Sequence, residues 1–196
     1  MPTSVLVNLQ SLHFGYPDHT LIAGLSAAIS PGVTLVRGGD GRGKTTLLRL
    51  LAGELTPTSG QLQINANVFW IDPRTDAFDE LTGIKLFESQ RVAFPEFDDA
   101  MVSRLVDGLD LASHIHKKLY MLSTGSKRKV YLAAAFASGA AVTLIDMPFA
   151  AIDKPSIEFI LSLLREAAAG TERAFVVADC EAPAGVQLEG VIDLGD

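Results

Sequence analysis

The chain carries one cysteine, Cys180, in 196 residues. A single thiol allows neither an intramolecular disulfide framework nor a cysteine-rich zinc site, and it fits a reducing compartment, so a cytoplasmic location is expected. Positive charge is also short: 16 Lys and Arg stand against 23 Asp and Glu, a formal net charge of −7. With no global basic field, nonspecific attraction to nucleic acid or to anionic lipid has no support, and no nucleic-acid partner is expected. No run approaches the roughly 18 to 20 uninterrupted apolar residues of a membrane-spanning helix. Residues 1–5 show no basic segment leading into a long apolar one, so no secretory signal is expected. A chain of this kind that works at a membrane needs another polypeptide to hold it there.

What is present suits one core. Hydrophobic residues make up 48% and charged residues 20%, a globular balance, in a length too short for two full-size domains. One domain over residues 1–196 is expected. Segments 5–13 and 21–29 are β-compatible around the turn-rich Gly15-Tyr16-Pro17-Asp18, which predicts a small antiparallel layer at the amino-terminal end. Pro31-Gly32 makes a turn, 33–36 reads as a buried strand, and 44–52 reads as a helix stopped by Gly53. Strands are expected at 61–64, 68–71, 142–145 and 174–178, and helices at 81–89, 99–111 and 155–169. Ser123 is placed to cap a further helix through Arg128, Tyr131 and Ala135. The alternation predicts an α/β fold with a mainly parallel sheet covered on both faces. A helical insertion is expected at about residues 75–138.

The strongest local signal is Gly38-Gly39-Asp40-Gly41-Arg42-Gly43-Lys44-Thr45, which satisfies G-x-x-x-x-G-K-[ST] between a predicted strand and a predicted helix. Glycines let backbone amides turn inward around phosphate oxygens, and the following helix adds the positive end of its dipole. A P-loop nucleotide site follows: Lys44 for the β- and γ-phosphates of ATP, the Thr45 hydroxyl for Mg²⁺, and Thr46 for a more interior phosphate. The plain alternative is a glycine-rich surface turn with a lone lysine. A dinucleotide loop fits poorly, because the spacing does not give G-x-G-x-x-G and a Lys-Thr pair has no role there. A small-molecule kinase would use the same loop, but neither an arginine-rich lid nor an acceptor-site base is evident.

Beyond that loop the order of motifs resembles the ATP-binding cassette (ABC) family along nearly the whole chain. Tyr16 matches the aromatic residue that stacks on adenine, or is simply a turn residue beside Pro17. Leu50-Leu51-Ala52-Gly53 and Pro57-Thr58-Ser59-Gly60 are similar to the family's post-loop helix and turn. Leu122-Ser123-Thr124-Gly125-Ser126 stands where the family has its LSGGQ signature, which closes on the nucleotide of a partner subunit; Ser123 and Gly125 survive. An ordinary capped helix is the alternative. Lys127, Arg128 and Lys129 just after it read as a solvated helix face. Val142-Thr143-Leu144-Ile145-Asp146 resembles the Walker B strand, delivering Asp146 to the Mg²⁺ shell, though a strand ending in Asp could also just cap a helix. Phe149-Ala150-Ala151-Ile152-Asp153 resembles the D-loop, with Asp153 either at a subunit interface or capping the next helix. Residues 191–196 are similar to the closing strand, and Pro148-Phe149 beside Ala151-Ile152-Asp153 resembles the small heme-export type of ABC subunit.

Four positions depart from the family pattern. Where catalysis asks for a glutamate after the Walker B aspartate, the chain has Met147, whose thioether cannot orient or deprotonate water. Asp179 stands in place of the histidine that contacts the γ-phosphate, and a carboxylate there repels rather than donates. Asp72 stands in place of the glutamine that senses metal and water; it is a possible Mg²⁺ ligand of altered geometry. Asp40 replaces a neutral polar residue inside the loop. The resemblance therefore implies an ABC nucleotide-binding subunit that binds Mg·ATP and drives or gates dimer closure, with weak or partner-dependent hydrolysis and no intact catalytic Glu or His. It implies an integral-membrane permease partner, a homodimer or a heterodimer with another ABC ATPase, and a peripheral place at the inner face of a membrane. The alternative function is a nonhydrolytic ATP-binding switch or regulator.

Overall fold

A computed structural model describes residues 5–17 and 19–195. Asp18 of the expected turn and Asp196 of the expected closing strand lie outside those residues. Strands β1 (Val7–Tyr16) and β2 (His19–Ile29) pair antiparallel, and β4 (Ser59–Ile64) joins the other edge of β1, giving the order β2-β1-β4. The β1–β2 register shifts between Leu9 and Leu12. There Ser11 takes φ +45° and donates its backbone N–H to the Ser26 hydroxyl at 2.8 Å, as a bulge requires.

The second sheet is wholly parallel among its described pairs. It is built from β3 (Gly32–Arg37), β5 (Val68–Phe69), β6 (Val142–Asp146), β7 (Ala174–Ala178) and β8 (Gly190–Asp193) in the order β5-β6-β7-β3-β8. Its inner strands β6, β7 and β3 are apolar on both faces and their side chains alternate between two cores, as period-two geometry dictates. On β7, Phe175 and Val177 enter one core while Ala174, Val176 and Ala178 enter the other. Helix α1 (Lys44–Leu51) lies in the second core, where Leu47, Leu48, Leu50 and Leu51 are buried together with Val7, Leu9 and Leu12 of β1. The antiparallel layer thus covers α1, and α1 covers the parallel sheet. Helices α2 (Gly83–Ala93), α3 (Asp99–Gly108), α4 (Thr124–Ala137) and α5 (Lys154–Ala168) contribute to the first core. The three helices α2, α3 and α4 all fall between β5 and β6 in the chain.

Boundaries differ from the expectations where local chemistry intervenes. Strand β5 stops at Phe69, two residues early, and the Trp70 indole N–H donates to Glu54 Oε1 at 2.9 Å. Helix α2 begins after Thr82, whose hydroxyl accepts the Lys85 N–H, so it starts and ends later than its apolar pattern suggested. Helix α3 ends at Gly108, and Asp110 follows with φ +53°. A Cβ at Gly108 would overlap the ring of Phe159, so the glycine lets α3 sit against α5.

Candidate functional site

The loop from Gly38 to Gly43 leaves the carboxyl end of β3 and enters α1, the place where open parallel sheets present backbone amides to ligands. Gly43 caps the helix with φ +93°, a left-handed conformation that costs a side-chain-bearing residue roughly 1 kcal/mol or more. Lys44 is 8% exposed, and its Nζ donates to the carbonyls of Gly38 at 2.6 Å and Gly39 at 3.0 Å, with Cys180 Sγ at 3.7 Å. The lysine side chain therefore spans the loop from within.

Two positions from β3, strand β6 ends in Asp146. The Thr45 hydroxyl donates to Asp146 Oδ2 at 2.6 Å across 101 residues of sequence. Asp146 is 6% exposed, and its Oδ1 is buried without a hydrogen-bond partner. Burial pushes this carboxyl above its ordinary value, opposed by the Thr45 hydrogen bond and by the charge of Arg74. A half-satisfied buried carboxylate beside a hydroxyl is the donor set a hard divalent cation takes. Among the described residues no three His, Cys, Asp or Glu side chains cluster around a point, so Thr45 and Asp146 are the candidate metal donors.

These groups line a cavity of about 320 Å³ together with Leu21, Asp40, Gly41, Arg42, Gly43, Lys44, Thr46, Arg74 and Met147. Met147, 38% exposed, holds φ +49°, an uncommon conformation for a non-glycine residue. Its N–H donates to the Ala178 carbonyl at 2.8 Å, and its carbonyl accepts from Arg128 Nη1 at 2.5 Å. Arg128 Nη1 also reaches the Asp146 carbonyl at 3.1 Å. Burial lowers the Arg128 guanidinium from its usual value, and Nε has no partner.

Gly38 and Gly39, expected at the nucleotide, hold Lys44 through their carbonyls and do not line the cavity. Three further expected site residues lie elsewhere. Asp72 does not line the cavity: its Oδ1 accepts the Arg74 backbone N–H at 2.9 Å and Arg74 Nε at 3.2 Å, so the residue expected as a possible metal ligand instead holds an arginine that does. Asp179 lines a neighbouring cavity of about 370 Å³ with Cys180 and Phe149, and its Oδ1 accepts the Cys180 N–H at 2.7 Å. Burial pushes its carboxyl up. Tyr16 ends β1 opposite His19, its ring edge-on to Phe14 at 5.4 Å, and also lies outside the lining.

The Ser123 hydroxyl accepts the Ser126 N–H at 3.1 Å and caps α4. A Cβ at Gly125 would overlap the Ala151 carbonyl oxygen, so the turn that starts α4 touches the loop after β6 through a glycine. Ala151 itself has φ +62°. Asp153 caps α5 through the Ser156 N–H at 3.0 Å and is paired with Lys129, whose hydrogen bond holds the carboxyl well below the usual range. The expectation of a solvated face at residues 127–129 is overturned. Lys127 pairs with Asp79, Arg128 binds the carbonyls of Asp146 and Met147, and Lys129 pairs with Asp153; the Lys127 and Lys129 side chains are only 18% and 12% exposed. A charge run reads as solvated when nothing in the sequence shows the acidic partners and carbonyls it will meet.

The sequence model of the ABC transporter family matches residues 22–150. The chain belongs to the ABC transporter family. That span covers the phosphate loop, Asp72, the 122–126 turn, Asp146 and Met147, and leaves out Tyr16, Asp153 and Asp179. Among curated ABC proteins the chain is similar to the cytochrome c biogenesis ATP-binding export protein CcmA of Tatumella citrea, 31% identical over 157 residues, 74% of each chain. It is also similar to the taurine import ATP-binding protein TauB of Roseobacter denitrificans, 34% identical over 183 residues, 83% of this chain and 66% of that one. A solved Pyrococcus furiosus chain described as an ABC transporter ATP-binding protein superposes with a TM-score of 0.78 at 20% identity, covering 96% of each chain. That likeness shows the P-loop α/β fold. No helix among the described residues is long and apolar enough to cross a membrane. Within the ABC pattern, the residues missed from sequence are Arg74, Arg128 and Leu21. Arg74 alone carried a readable signal, as a cation two residues from a position where the pattern breaks.

Proposed function

We propose that the cavity between the loop and Asp146 binds Mg·ATP, and that this ABC subunit uses nucleotide to drive or gate closure with a second ABC subunit while hydrolysing slowly on its own. The observation that carries the reading is the Thr45–Asp146 contact beside Lys44, with Asp146 Oδ1 buried and unpartnered. Lys44, already inside the loop, needs only to exchange two backbone carbonyls for phosphate oxygens to pair with the β- and γ-phosphates. The loop amides and the positive end of α1 add to that attraction. Thr45 and Asp146 would hold Mg²⁺, which when bound neutralises phosphate charge. Met147 offers no proton acceptor next to Asp146, and losing a positioned general base costs about 10²- to 10⁴-fold in rate.

Ser123 and Gly125 would complete the site of a partner subunit, homologous or identical, and an integral-membrane permease would hold the pair at the inner face of a membrane. The names of the relatives include both an export and an import protein, so the cargo is assigned to the permease. Calorimetric titration tests the binding reading. ATP with Mg²⁺ is expected to bind the parent stoichiometrically, and Lys44→Ala is expected to weaken binding at least tenfold; equal affinity in the two proteins contradicts it. Met147 also favours a second reading, a nonhydrolytic ATP switch, which stoichiometric binding without turnover, even with candidate partner subunits added, would select.

A further inference from the structure

The position expected to donate to the terminal phosphate holds Asp179, a carboxylate turned into the neighbouring cavity. The cavity lining holds one cation besides Lys44 and Arg42, the guanidinium of Arg74. Arg74 follows Pro73 in the turn after β5 and is close enough to Asp146 for its charge to act on that carboxyl, whereas Arg42 belongs to the loop and Lys44 begins α1. Its anchoring is specific. Asp72 Oδ1 accepts both the backbone N–H of Arg74 and its Nε, which fixes the turn and one edge of the guanidinium. The terminal nitrogens Nη1 and Nη2 make no hydrogen bond to the described residues, and the side chain is 66% exposed. A planar fork with one edge held and the other unpaired is suited to two oxygens of a phosphate.

We infer that Arg74 binds the terminal phosphate of ATP in this cavity from the same chain, with Asp72 as its positioning residue, so that the pair supplies the ATP-over-ADP discrimination that Asp179 does not. This rests on the proposed nucleotide site. It also accounts for Asp72: an acidic residue near a triphosphate is unfavourable by itself, and becomes useful when its charge is spent on holding an arginine. Arg→Lys keeps the charge but loses the fork, so the two roles separate.

The test is equilibrium binding of ATP and of ADP, each with Mg²⁺, to the parent and to Lys44→Ala, Arg74→Ala, Arg74→Lys and Asp72→Asn, with thermal melting as a check on folding. Arg74→Ala is expected to weaken ATP by roughly 10- to 100-fold and ADP by less than about 3-fold, a charge-assisted bidentate contact present in one ligand only. Arg74→Lys is expected to recover part of the ATP affinity. Asp72→Asn is expected to lie between the parent and Arg74→Ala in the ATP-to-ADP ratio with an unchanged melting temperature. Equal losses for ATP and ADP, or no loss for either, in a folded Arg74→Ala whose parent binds ATP through Lys44, overturn this inference and leave the nucleotide site standing. A parent that binds neither nucleotide overturns both.

Discussion

Thr45→Val removes one hydroxyl from the centre of the site while keeping its shape. Thr45 is the only hydrogen-bond donor found for the Asp146 carboxylate among the described residues, because Oδ1 is already unpartnered. A hydrogen bond to a charged group contributes about 1.5 to 3 kcal/mol, and a domain of this size changes its melting temperature by about 2 to 4 °C per kcal/mol, so the loss near pH 7 is about 3 to 12 °C. The pH dependence follows from the carboxyl's direction of shift. Burial raises the Asp146 pKa, so the folded state binds more protons than the unfolded state between the ordinary carboxylate value and the raised one. Stability from this group therefore falls as pH rises through that window and stays low above it. Without the Thr45 bond the raised value moves further up, which enlarges the deficit above the window. Below the ordinary carboxylate range Asp146 is neutral in both states and a neutral hydrogen bond is about half as strong, so the deficit shrinks there. Scanning calorimetry of parent and variant from about pH 3 to pH 8 measures this. A variant that melts with the parent at pH 7, or whose deficit is the same at both ends, refutes the reasoning.

Gly125→Ala places a Cβ on the Ala151 carbonyl oxygen, and neither backbone can yield cheaply. It is expected to cost about 1 to 3 kcal/mol, seen as a lower urea midpoint, whereas the neighbouring exposed Thr124→Ala serves as a near-neutral control. Arg128→Met is expected to lower stability by about 1 to 3 kcal/mol by leaving the Asp146 and Met147 carbonyls without their guanidinium donor. An unchanged urea midpoint would show that these two bonds contribute nothing net.

The phosphate loop was legible because its information is contiguous: glycine spacing, lysine and threonine in eight residues. Asp146 was legible as the end of an apolar strand. Its place beside Thr45 was legible only through the family resemblance, which put both in one Mg²⁺ shell; spacing is silent on it, since only the order β6-β7-β3 brings positions 101 residues apart to one sheet end. Arg128 was missed because its partners, the carbonyls at the end of β6 and just beyond it, are set by the packing of α4 and not by spacing, while Arg74 was missed because the turn geometry that brings it back to Asp72 is not written in its spacing of two. Asp72 shows the cost of reading a position by what it replaces: a carboxylate at a metal-sensing place suggests a ligand until its neighbour Arg74 takes the oxygen. Tyr16 rested on one aromatic residue, and the strand pairing of β1 with β2 leaves it outside the lining.

The central claim is a site that holds Mg·ATP well and turns it over poorly because Met147 sits beside Asp146. Steady-state ATP turnover and ATP affinity, measured together on the isolated parent and on Met147→Glu, test it most directly. The glutamate would inherit the φ +49° backbone already present, so the comparison changes the side chain and not the strain. The account predicts comparable affinity and a turnover about 10²- to 10⁴-fold faster in Met147→Glu. Equal turnover in the two proteins, with ATP bound in both, would contradict it.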